Sequence, residues 1–148
     1  MTEHRWTHEQ FDEMSWHDNH VHALRILPGA HGAGELVLDI DYIAEWIRQA
    51  DGIRFRLVPA MLRFTEVTHL RISLDYAASS AALGPFSIHA IERRAEQRER
   101  HVAQVWRIQV NWPVGEISFE ASGYEQKATG TAVVSSQQVL SPAERNAT

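Results

Sequence analysis

The sequence predicts a mainly β protein: an antiparallel sheet, built as a sandwich or a strongly curved sheet, with one or two short helices. Three observations carry this expectation. Apolar residues alternate with polar ones at period two in several separate stretches, the mark of half-buried strands. The connections are short and rich in Gly, Pro and Asp, which suits hairpins and not the long crossovers of parallel strands. The chain has 148 residues, 44% of them hydrophobic and 22% charged, which fits one globular domain and excludes a disordered chain.

Taken in order, residues 1–15 carry Trp6, Phe11 and Met14 among acidic neighbours and read as an N-terminal arm or a short helix. The β-rich domain spans 16–140. Its first strand runs from His20 to Leu27, with His20, His22, Leu24 and Ile26 on one side and Val21, Ala23 and Arg25 on the other. Pro28 to Gly34 is a loop. Leu36, Leu38, Ile40 and Tyr42 then alternate with Val37, Asp39 and Asp41 in a second strand. Ile43, Trp46, Ile47 and Ala50 have helical spacing, so a short helix is expected over 44–50, closed by Asp51-Gly52.

Phe55 to Phe64 is extended, with Pro59 at an edge or a bulge because it lacks an N–H. Leu70, Ile72 and Leu74 mark another strand, 77–84 a connection or helical turn, and Phe86, Ile88 and Ala90 a further strand. Glu92 to Arg100 is either a hairpin tip or a solvated helix. Val102 to Trp112 is the longest regular strand, with Trp106, Ile108, Val110 and Trp112 on one face. After the turn at Pro113-Val114-Gly115, Ile117, Phe119 and Ala121 return. Thr131 to Val134 is a last strand, and 141–148 is expected to fray.

Composition excludes several functions. Cysteine is absent, so there is no disulfide, thiol nucleophile or cysteine-ligated metal. The formal net charge of -5 argues against general nucleic-acid binding, which needs cations to neutralise phosphates. The longest apolar run is far short of the roughly 20 residues of a membrane span. The polar, acidic start lacks the pattern of a secretory signal. The expectation is a cytoplasmic, bacterial protein with no membrane partner.

Histidine is the unusual feature. His4, His8, His17, His20, His22 and His31 crowd the first part of the chain. On a strand His20 and His22 project to one side roughly 7 Å apart. Two such imidazoles can chelate a divalent transition metal if a further ligand joins them, and His17 is the nearest. Asp39 and Asp41 form a matching pair on the next strand. If the apolar faces of the two strands coincide, however, these aspartates point away from the histidines, and only a bulge reconciles them. The alternative places His20 and His22 as hydrogen-bonded strand residues, with no cofactor.

Trp16, His17 and Asp18 likewise have two readings, a structural corner anchored by the tryptophan or an interaction site. Gly29, Gly32 and Gly34 precede a strand, not the helix that a dinucleotide fingerprint requires. Arg93, Arg94, Arg98 and Arg100 are nearly cancelled by Glu92, Glu96 and Glu99, a solvated face. Most of the tryptophans are expected in the core, and one left exposed marks a partner site.

The segment Trp16-His17-Asp18-x-x-Val21-His22-x-Leu24-Arg25-Ile26 resembles the opening of a group of small bacterial β-rich proteins. Some of these resemble immunity proteins of polymorphic toxin systems. The similarity runs over about 16–125, through Gly34-Glu35-Leu36-x-Leu38-Asp39-Ile40, Phe64-x-x-Val67-x-x-Leu70-Arg71-Ile72 and Gly115-Glu116-Ile117-x-Phe119-x-Ala121. The resemblance implies a non-catalytic domain that acts by binding a protein partner or by self-association. Two other readings stand beside it. One is a metal-binding protein or metal-dependent enzyme using His17, His20 and His22. The other is a sheet with an aromatic-lined cavity for a small apolar ligand.

Overall fold

The structure, a computed structural model, describes residues 4–77 and 83–145. It is 66% strand, with only short helical turns. The strands are β1 (Arg5–Thr7), β2 (His20–Pro28), β3 (Gly34–Gln49), β4 (Gly52–Leu74), β5 (Phe86–Gln97), β6 (Val102–Trp112), β7 (Val114–Glu120), β8 (Gly123–Ala128) and β9 (Val133–Ser135). Helical turns cover His8–Glu13, Ala30–Gly32 and Pro142–Arg145.

Every pairing is antiparallel, and the sheet runs β1-β8-β4-β3-β2-β5-β6-β7. Strand β7 pairs again with β4, so β4, β3, β2, β5, β6 and β7 close into a ring. The curvature expected from the sequence is therefore carried to closure.

Strand β4 organises the ring. One of its edges pairs with β3. The other receives β9 at Phe55–Leu57, β8 at Ala60–Thr65 and β7 from Thr68 to Leu74. The expected strands on either side of residue 65 are thus one continuous strand. Pro59 sits between the β9 and β8 pairings. Its carbonyl accepts from Thr129 N at 2.8 Å, so its N–H-less nitrogen faces that same gap and costs β3 no hydrogen bond.

The ring interior is packed with aromatic and branched side chains. Trp106, Phe64 and Phe119 are essentially fully buried. The Phe64 ring lies 4.7 Å from Phe119 and 5.2 Å from Trp106, both in edge-to-face geometry. Trp106 Nε1 donates to Ala121 O at 3.1 Å, so its one polar atom is satisfied in the core. A second, smaller cluster joins Ile43, Phe55, Leu57 and Leu140.

Several local expectations are corrected. Residues 44–49 are not helical: β3 runs straight through them and pairs with β4 out to Gln49↔Gly52. The reason lies across the turn, where Ile53 to Arg56 supply the matching strand around a two-residue loop. Gly52 there has φ 135, which a side chain would strain. Glu92 to Arg100 is a hairpin, with Arg98 N bonded to His101 O at its tip.

Trp112 does not share the burial of Trp106, because β6 ends there and leaves it 49% exposed. Ser141 to Arg145 is docked where fraying was expected. Ser141 and Glu144 cap the turn reciprocally, with Glu144 N reaching Ser141 Oγ and Ser141 N reaching Glu144 Oε1. The greater part of the 77–84 connection lies outside the described residues, as do 1–3 and 146–148.

Candidate functional site

A bulge in β2 sets the geometry of the histidine segment. Val21 pairs with Ile40 and Ala23 with Asp39, so His22 is an extra residue. Val21 faces the core before it and Leu24 packs on the core after it. His22 is thereby turned to the outer face, where Asp41 points. Its Nε2 lies 2.6 Å from Asp41 Oδ2.

Asp41 is fully buried although it lies on that outer face, because the C-terminal segment covers it. Leu140 N donates to Asp41 Oδ2 at 2.8 Å, and Arg145 forms ion pairs with both Asp41 and Asp39. A buried carboxylate is tolerable only with partners of this kind. His22, Leu140 N and Arg145 together occupy the Asp41 carboxylate.

His20 stands opposite Asp41 in the register and is partly buried. Burial holds its pKa below the ordinary 6.5, against the opposing pull of Asp41. Its Nδ1 is buried without a partner. His17 lies elsewhere, with Nδ1 3.1 Å from His89 O and its ring 5.5 Å from that of His89. Among the described residues no three His, Asp or Glu side chains are grouped to hold a metal ion. His17, His20 and His22 are thus not brought to one centre.

Trp16 to Asn19 form a tight turn. Trp16 is buried and its Nε1 donates to Gln126 Oε1 at 2.8 Å. Asn19 N returns to Trp16 O at 3.0 Å, and the turn is tied to β5 by Asp18 N to Ile88 O and Ile88 N to Asn19 O, each 2.8 Å. Asp18 has φ 63, a conformation that aspartate tolerates better than most residues. Its carboxylate accepts from Gln138 Nε2 at 3.1 Å and Asn111 Nδ2 at 3.4 Å, with His17 Nε2 at 3.4 Å.

His17 connects this turn to a surface that the sequence did not reveal. Its ring is stacked near Trp46, with centroids 6.5 Å apart and planes 20° apart. Trp46 stands on the projecting β3–β4 hairpin and is 46% exposed. Phe55, its cross-strand partner, packs edge-on against it at 4.9 Å. Exposed Ile53 lies two residues before Phe55 on β4, towards the turn. The missed signal was the mirror pattern about the turn: Glu45 and Trp46 before it answer Arg56 and Phe55 after it.

The fold has no helix long and apolar enough to cross a membrane among the described residues. No protein-family model, curated protein or solved structure matches the chain.

Proposed function

We propose that this chain is a non-catalytic, cytoplasmic bacterial domain that acts by binding a protein partner, in the manner of a toxin-neutralising immunity protein. The observation that carries the reading is Trp46. Trp46 and Ile53 are both exposed on one side of the hairpin, and tryptophan dominates binding hot spots. Here it is held in place by Phe55 on one side and His17 on the other, so little side-chain freedom is lost on docking. Asp18 and the polar groups bonded to it give that apolar centre a hydrogen-bonding rim. The net charge of -5 supports a protein partner over nucleic acid.

The test is co-expression with the proteins encoded beside this one, followed by gel filtration. A stoichiometric complex is expected for the wild type, and Trp46→Ala should weaken it by about tenfold or more while keeping the wild-type far-UV circular dichroism spectrum. An unaltered complex in Trp46→Ala overturns this placement of the binding face. A dimer of the chain alone that dissociates in the same variant identifies self-association as the activity.

A further inference from the structure

The core face of the β3–β4 ribbon does not stop at the core. Beyond Ile40 and Tyr42 on β3 it continues to Ala44, and beyond Ala60 on β4 it continues to Val58 and Arg56. Strand β1, the His8–Glu13 turn and the chain after β8 stand around this extension. Together they enclose a cup of about 600 Å³. That volume lies within the range of small-molecule sites, which favour the mouths of β-barrels.

The apolar part of the lining is Trp6, Met14, Tyr42, Ala44, Val58 and Ala132. The rim is polar, and its free groups are mostly donors. Arg56 uses only Nε, 3.1 Å from Glu45 Oε1, and its terminal nitrogens are uncommitted among the described residues. Gln10 Oε1 is taken by Thr7 N at 2.7 Å, so among the described residues its amide nitrogen is the uncommitted end. Glu13 is the one acidic side chain among the described residues that line the cup. We propose that this cup binds a small amphipathic anion, its apolar body on Trp6, Met14 and Tyr42 and its carboxylate on the Arg56 guanidinium. Planar guanidinium against carboxylate is the natural pairing at such a rim. The site lies apart from Trp46 and does not depend on the protein-binding reading.

Titration calorimetry with octanoate and octylamine at pH 7 separates the possibilities, because the two differ only in the charged head. Octanoate is expected to bind with Kd below about 1 mM, and octylamine at least tenfold more weakly. Arg56→Gln should weaken octanoate by about tenfold, whereas Glu13→Gln should strengthen it. Ala132→Trp, which fills the cup from an exposed position, should abolish binding without lowering the melting temperature. Trp46→Ala should leave it unchanged. No octanoate binding, equal binding of the amine, or binding that survives Ala132→Trp overturns the proposal.

Discussion

At the scale of single residues, Asp41 shows how one buried charge can organise a surface. It gathers an imidazole, a guanidinium and a backbone N–H from positions far apart in the chain. Only part of this was legible. The opposition of His22 and Asp41 across adjacent strands, and the bulge needed to bring them together, follow from period-two alternation. Arg145 does not, because nothing in a polar tail tells which carboxylate it will meet. His20 carries the pH prediction. Its folded-state pKa is lowered, so the unfolded chain binds its proton more readily. Stability is therefore complete above pH 6.5 and declines as the pH falls below that value. Urea midpoints at pH 7.5 and 5.5 should differ less in His20→Asn than in the wild type. An equal difference in the two proteins assigns the acid sensitivity to other groups.

At the scale of elements, strand alternation in β2, β3, β6 and β7 is readable, whereas the helix expected over 44–50 is overturned and the hairpin-or-helix choice over 92–100 resolves to the hairpin. In both segments local spacing leaves the type open, and the strand across the turn decides it. The C-terminal element failed for another reason. Ser141-Pro142-Ala143-Glu144 is a capping signature with proline at the first helical position, too short to stand out beside a polar tail. This segment is held by Arg145 at one end and by Leu140, buried with Ile43, Phe55 and Leu57, at the other. Arg145→Ala should cost about 3 kcal/mol, because it strips the cation from a buried carboxylate. Hydrogen exchange should then rise in 133–145 and in the Phe55–Leu57 segment that β9 covers, with β6 and β7 unaffected. Uniform loss of protection across the ring means the segment has no separate stability.

At the scale of the whole molecule, the ring joins residues distant in sequence. Its shortest seam is between β2 and β5, only His20↔Ser87 and Val21↔Phe86. The sequence gives strands and hairpins but not this closure, which rests on two residue pairs and on β4 changing partners along its edge. Glu66 and His69 there both have φ 55, marking the passage from β8 to β7. Non-local pairing of this kind delays folding, since loop entropy is lost before contacts form. Refolding in the range of milliseconds to seconds is expected by stopped-flow tryptophan fluorescence, to which the buried Trp6, Trp16 and Trp106 contribute. Microsecond refolding excludes ring closure as the limiting step.

The extra residue at His22 also bears on how kinship is to be sought. A chain with the same ring but no bulge has the phase of β2 shifted by one position on one side of this point. Aligned without a gap, it sets core positions of one strand against surface positions of the other, and the similarity fades within a few residues. A single-position gap between Val21 and Ala23 restores the match. Relatives that need this gap are then recognisable as those in which the aspartate at position 41 has lost its histidine.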